Sequence, residues 1–161
     1  MSIGRFYAGI CALLRAPSGK YLLAKRSPDK DFGAGGWECI TGRVDQGEGF
    51  QQAVRREILE ETGLQEIRID FIIDTIHFYR GEPRAENELL GVSFCCSTDR
   101  PDAVQLSAEH TEGHWFTPDE IEALLPEGYW IVDLVRRAET IRGLASDELL
   151  AFYESTNAAA S

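Results

Sequence analysis

Positive charge is scarce in this chain. Lys and Arg number 16 against 27 Asp and Glu, for a formal net charge of −11 at pH 7. No bulk basic field exists to hold a nucleic-acid polymer or an anionic membrane. A phosphate-bearing ligand would need a local device, most simply a bound cation, to offset the chain's own charge. Cysteine is sparse too: Cys11, Cys39, Cys95 and Cys96 form no C-x-x-C and no Cys/His cluster, which argues against structural zinc and a disulfide scaffold. All four sit among apolar residues, as expected of buried, reduced thiols in a cytoplasmic protein. No apolar run approaches the roughly 18 residues of a membrane span. The run Phe6 to Leu14 behind Arg5 ends in Arg15-Ala-Pro-Ser-Gly rather than a small-residue cleavage site, so it reads as a strand and turn, not a secretion signal. Nucleophile and nucleotide-loop signatures are also missing. There is no Gly-x-Ser-x-Gly. Gly33-Ala-Gly-Gly36 lacks both the Gly-Lys-Ser/Thr of a P-loop and dinucleotide-binding spacing. Asp29-x-Asp31-x-Gly33 hints at a calcium loop, but Ile40 stands where the bidentate Glu should be.

What is present suits one globular domain. The 161 residues are 43% hydrophobic and 27% charged, near globular averages, with no internal repeat or linker. Residues 1–154 read as the domain and 155–161 as a flexible tail. Tyr7 to Leu14 and Tyr21 to Ala24 flank a Pro-Ser-Gly turn as a β-hairpin. Ser27 to Gly36 reads as a loop, Trp37 to Ile40 as a short strand, and Thr41 to Gly49 as a second loop. Phe50 to Thr62 has no Gly or Pro and stops at Gly63, the pattern of a helix with a left-handed cap. Ile67 to Ile73, Thr75 to Tyr79, Leu89 to Ser97 and Glu112 to Phe116 read as strands. Thr117 caps a helix with Pro118 at its first position, and another helix is expected over Tyr129 to Arg142. Strands around a central helix, then terminal helices, give a mixed α/β layering.

The central helix carries Glu57, Glu60 and Glu61 at i, i+3 and i+4, on one face. Like charges there cost about 0.2–0.5 kcal/mol per pair. An ordinary solvated face, with Arg55 and Arg56 in ion-pairing register, is one reading. A cluster of hard oxygen ligands for Mg²⁺ or Mn²⁺ is the other.

The surroundings decide between them. From Gly42, five residues lead to Glu48 and seven more to Arg56-Glu57, followed by Ile58-Leu59-Glu60-Glu61-Thr62-Gly63-Leu64. This resembles, without exception, the signature G-x5-E-x7-R-E-U-x-E-E-x-G-U of the Nudix hydrolases, where U is bulky and apolar. Its fixed identities would arise by chance on the order of once in 10⁷ chains of this length. The resemblance implies an α/β/α sandwich with a mixed β-sheet and a loop–helix–loop catalytic motif. It also implies hydrolysis of a diphosphate linkage with divalent-cation help. Glu57 and Glu61 match the principal metal ligands, Glu60 a ligand or base, and the Gly42 carbonyl a further ligand. Arg56 and Glu48 match the pair that ties loop to helix and orients the ligands. Arg26 matches a phosphate-contacting arginine, and Arg43 would add charge near the phosphates or face solvent. A later loop often supplies another acid; Glu109 is the first choice and Glu112 the second, with His110 and His114 as competing bases.

Where most relatives have Pro-Gly-Gly, this chain has Thr41-Gly42-Arg43, a version that resembles enzymes acting on dihydroneopterin triphosphate or nucleoside triphosphates. Markers of the ADP-ribose and dinucleoside-polyphosphate subgroups are out of register around Arg80. Trp37, His77, Phe78 and Tyr79 could stack on a base or pack the core. The expected substrate is a nucleoside triphosphate or another nucleoside diphosphate derivative, with Mg²⁺ or Mn²⁺ as cofactor. A homodimer is allowed for, and no nucleic-acid or membrane partner is expected. Two alternatives remain at this point. A non-catalytic nucleotide sensor of the same fold would bind without turnover, and an isopentenyl diphosphate isomerase would work through a cysteine such as Cys95 or Cys96.

Overall fold

The computed structural model describes residues 5–29 and 33–158. Strands β1 (Tyr7–Arg15), β2 (Tyr21–Arg26), β3 (Trp37–Glu38), β4 (Ile40–Arg43), β5 (Arg68–Tyr79), β6 (Glu88–Ser97) and β7 (His110–Phe116) form one mixed sheet. Helix α1 (Phe50–Thr62) lies on one face, and α2 (Pro118–Leu124), α3 (Trp130–Leu144) and α4 (Asp147–Ala158) belong to the other side. Each face has its own core because alternate residues of a strand point opposite ways. Ile10, Ala12, Leu14 and Leu22 pack with Ala53, Val54 and Ile58 of α1. Cys11, Leu13, Tyr21 and Leu23 pack with Ile121, Ile131, Val135 and Ala138. The result is the expected α/β/α sandwich. Among the described residues, no helix is long and apolar enough to cross a membrane.

One feature of the sheet positions the site. The central strand β1 runs parallel to β6 along its whole length. Its other edge is shared: β4 pairs antiparallel along Gly9–Ala12, while β2 meets β1 only at Arg15. The sheet therefore forks, with β2 carrying β3 on one edge and β7 on the other. Cys39 bridges the fork between β3 and β4.

Several sequence expectations need correction. Ile67 to Ile73 and Thr75 to Tyr79 are parts of one strand, β5; the polar interruption at Asp74 marks irregular pairing, with register shifts at Ile69/Phe71 and Ile72/Asp74, not a turn. Thr41 to Arg43, expected in a loop, extend β4 because they pair with β1. Helix α4 was not expected, its apolar residues being spaced without a strong helical stripe. The expected tail begins inside it: residues 155–158 are helical, and 159–161 lie outside the described residues. Asp31, part of the calcium-loop pattern, also lies outside them. The Thr117 cap is as expected, its Oγ1 accepting from the Glu120 amide at 3.2 Å while Glu120 reaches back to the Thr117 amide.

Candidate active site

Helix α1 carries the acids because both its ends are fixed locally. At the start, Gln52 Oε1 accepts from the Gly49 amide at 2.9 Å. At the end, Gly63 takes φ 72° and its amide bonds to the Leu59 carbonyl at 2.8 Å, a conformation that favours glycine. The segment before β7 is then stitched to this end. The Gln105 amide bonds to the Thr62 carbonyl, and the Ser107 amide to the Glu61 carbonyl at 2.9 Å.

Arg56 organises the loop Val44 to Gly49. Its Nε and Nη2 grip Glu48 through both carboxylate oxygens at 2.9 Å, and Nη2 also donates to the Arg43 carbonyl at 2.7 Å. Such a planar fork suits arginine and not lysine. The grip holds the Glu48 carboxyl below the usual carboxylate range. Nη1 reaches Glu57 Oε1 at 2.8 Å and Glu60 Oε2 at 3.3 Å. The sequence-expected pairing of Arg56 with Glu48 is thus present.

Glu57 lies against Gly42. A β-carbon at Gly42 would fall 1.9 Å from Glu57 Cδ, so any larger residue would expel the carboxylate. Glu61 is buried, 6% exposed, and its Oε2 has no hydrogen-bond partner. Burial first, then the charges of Glu38, Glu57 and Glu109, push its carboxyl up to about 9. Glu57 is raised as well, chiefly by burial and despite Arg56. Glu57 keeps Arg56 as its cationic partner, whereas Glu61 has no arginine or lysine bonded to it among the described residues, and burial among like charges disfavours its ionised form.

The remaining expected residues fall into place unevenly. Glu109 lies near enough to Glu57 and Glu61 to raise both, and its carbonyl accepts from the Ser27 amide at 2.8 Å. Glu112 instead pairs with Lys25 at 3.0 Å, on the opposite face of the sheet. His114 is exposed beside it. Arg26 reaches the site, but its Nη1 bonds Glu38 Oε1 at 2.9 Å. Arg43 stacks its guanidinium 4.5 Å over the Tyr7 ring. Trp37 packs edge-on against Phe116, as a core aromatic does.

Sequence reasoning missed Glu38 and the burial of His110. The His110 ring is 1% exposed, with Nε2 3.1 Å from Glu38 Oε1 and 3.7 Å from Glu61 Oε2. A lone acid inside the apolar stretch Trp37-Glu38-Cys39-Ile40 was the available signal, because a buried charge demands partners.

The oxygen donors of Glu57, Glu60, Glu61 and Gly42 are of the hard type that Mg²⁺ and Mn²⁺ prefer. The unpartnered Glu61 Oε2 fits a cation site. As the side chains stand, no three His, Cys, Asp or Glu among the described residues are close enough together to hold an ion. Arg56 occupies Glu57 and Glu60 instead. The isomerase alternative fares poorly: Cys95 and Cys96 are fully buried, and burial pushes the Cys95 thiol up to about 12, far from a reactive thiolate.

Comparison with known proteins bears on the family and the fold. A family model described as the NUDIX domain matches residues 5–137. The chain is 30% identical over 129 residues to an oxidized purine nucleoside triphosphate hydrolase of Mus musculus, covering 80% of this chain and 68% of that one. It is 33% identical over 126 residues to an octanoyltransferase of Myxococcus xanthus, covering 77% of this chain but 33% of the relative. It spans no more than 55% of the length of three of the curated relatives it matches. Among solved structures, a MutT protein from Methanosarcina mazei superposes with a TM-score of 0.71 at 25% identity, covering 88% of this chain and 99% of that one.

Proposed function

The chain belongs to the NUDIX family, and from that premise we propose that it is a divalent-cation-dependent hydrolase of a diphosphate linkage in a nucleoside triphosphate or related nucleoside diphosphate derivative. The observation that carries the reading is Glu61, a buried carboxylate with an unpartnered oxygen beside Glu57, on a helix whose loop is locked by Arg56 and Glu48. The mouse relative's named substrate class supports a nucleoside triphosphate.

Glu57, Glu60 and Glu61, with the Gly42 carbonyl, would hold Mg²⁺ or Mn²⁺. Such an ion supplies charge neutralisation and Lewis acidity at the diphosphate. The chain's own residues do the rest. Glu109, on the loop facing the two raised glutamates, accepts the proton of the attacking water. The water oxygen bonds to phosphorus as the bridging P–O bond breaks, and the leaving phosphate or pyrophosphate carries the electron pair away. Arg56 holds Glu48 and the loop rigid. Arg26, which stays bonded to Glu38 at the edge of the site, and Arg43, at the loop's base, would add positive charge near the phosphates.

The test is product analysis on nucleoside triphosphates, nucleotide sugars, ADP-ribose and dinucleoside polyphosphates with Mg²⁺. At least one should yield a nucleoside monophosphate, EDTA should abolish the reaction, and Mg²⁺ or Mn²⁺ should restore it. Glu109→Gln should lower kcat by about 10²-fold. Full activity in metal-free buffer sinks the mechanism, and binding without turnover makes the protein a sensor.

A further inference from the structure

The pairing of β2 with β7 contains an irregularity that re-aims one side chain. Lys25 pairs with Glu112, but Arg26 pairs with His110, so Thr111 is an extra residue in β7. In a regular strand His110 and Glu112, two residues apart, would face the same way. The bulge separates them. Glu112 stays with Lys25 on the α3 face, while His110 turns to the α1 face, between Glu38 and Glu61.

The turned residue is held through its main chain and through one ring nitrogen. The Ser27 amide bonds to the Glu109 carbonyl, and the His110 amide to the Ser107 carbonyl at 3.2 Å. Glu38 Oε1 accepts from both His110 Nε2 at 3.1 Å and Arg26 Nη1 at 2.9 Å. His110 Nδ1 is buried with no partner, so a proton there would be stranded, and the network assigns the proton to Nε2. That Nε2–H also stands 3.7 Å from the Glu61 Oε2 that lacks a hydrogen bond. Glu61 sits next to the last residue of α1, where the helix alone constrains it least.

We propose that His110, anchored by Glu38 and Arg26 through the β7 bulge, is a positioning residue that keeps the Glu61 carboxylate in place to receive the divalent cation. The inference rests on the metal-dependent reading above and extends it to residues outside the signature. Partners behind a metal ligand fix its orientation, and their loss commonly weakens metal binding by about 10–100-fold.

The experiment is a Mn²⁺ titration of the metal-free full chain, read by electron paramagnetic resonance, with thermal melts as a check on folding. His110→Leu should weaken Mn²⁺ binding about tenfold or more. His110→Gln keeps an N–H donor near Glu38 and should stay within about threefold of wild type. Glu38→Gln, which keeps its shape but loses the charged acceptor, should also weaken binding, and combining it with His110→Leu should add little, as expected of one coupled device. Wild-type affinity in both His110→Leu and Glu38→Gln overturns the proposal. So does equal weakening by Leu and Gln in folded proteins, which would make the ring a filler of space. If His110→Leu fails to fold, Glu38→Gln decides alone. Absence of Mn²⁺ binding in wild type would instead overturn the metal-dependent function itself.

Discussion

Two carboxylates on opposite faces of one sheet are buried almost equally, Glu61 at 6% and Asp70 at 5% exposure, yet their surroundings differ. Asp70, on β5 under α3, accepts from Ser97 Oγ at 2.7 Å and from Arg142 Nη2 at 2.7 Å. Arg142 in turn lies over the Phe71 ring and approaches Cys95 Sγ at 3.3 Å. Glu61, on α1, has an unpartnered oxygen, three carboxylates near enough to disfavour its charge, and no arginine bonded to it. Burial of a charge is costly unless it is paired. The α3 face meets that cost within the fold, joining the end of α3 to β5 and β6. The α1 face leaves Glu61 without a hydrogen-bonded cation, and that deficit is the ground on which a cation is proposed there.

The widest gap between the two acids should appear in turnover. Glu61→Gln should cut hydrolysis roughly 10³-fold, about 4 kcal/mol of barrier, because the proposed cation site would lose a charged ligand. Asp70→Asn, in any preparation that folds, should keep turnover within about threefold, having no contact with the reacting groups. Comparable losses in steady-state assays of both would erase the distinction between a structural and a functional carboxylate.

In stability the ranking should reverse. Arg142→Ala leaves the Asp70 carboxylate buried with Ser97 as its remaining close donor, and removing one partner of a buried pair commonly costs about 3–5 kcal/mol. Because Arg142 is itself partly exposed, water can relieve some of that loss, so roughly 3 kcal/mol is expected in urea unfolding. Metal-free Glu61→Gln should be neutral or slightly stabilising. A destabilisation by Glu61→Gln as large as that of Arg142→Ala would mean that the α1 face is a structural network too.

This asymmetry explains what could be read from the sequence. The box from Gly42 to Leu64 is local: one helix and its preceding loop set the spacing of Glu48, Arg56, Glu57 and Glu61, so residue order alone foretold that they meet and that Arg56 pairs with Glu48. Gly42 was legible for its backbone, though not for the space that it leaves Glu57. Asp70 with Arg142, and Glu38 with His110, each join residues 72 apart, and no short-range pattern encodes such meetings. The bulge at Thr111 is subtler still. Regular alternation would make Glu112 and His110 equivalent, and the extra residue, visible only in the strand pairing, sends one to Lys25 and the other to the site. Helix α4 escaped for a different reason: Leu149, Phe152 and Tyr153 are all substantially exposed, so no buried stripe announces the helix.

The smallest effect concerns pH and isolates the unmet charge of Glu61. In the unfolded chain a glutamate titrates near 4.3, whereas burial and the neighbouring carboxylates raise Glu61 in the folded protein to about 9. Between those values the folded state holds a proton that the unfolded state has released. Its stabilising contribution is therefore complete below the unfolded value and is lost as pH climbs through the folded one. Glu38 and Glu48 shift the opposite way, held low by their arginine and histidine partners against burial in Glu38 and by Arg56 in Glu48, so a raw melting curve mixes both signs. The difference between wild type and Glu61→Gln removes that mixture, since both proteins keep Glu38 and Glu48. Without metal, wild-type Tm minus mutant Tm should fall steadily from pH 5 to pH 9, by roughly 2–4 °C for each kcal/mol lost in a domain of this size. With millimolar Mg²⁺ the slope should flatten or reverse, because the cation favours the ionised carboxylate that protons otherwise occupy. A difference that stays constant from pH 5 to pH 9 would show that Glu61 is already ionised and partnered in the free protein, making it a second Asp70.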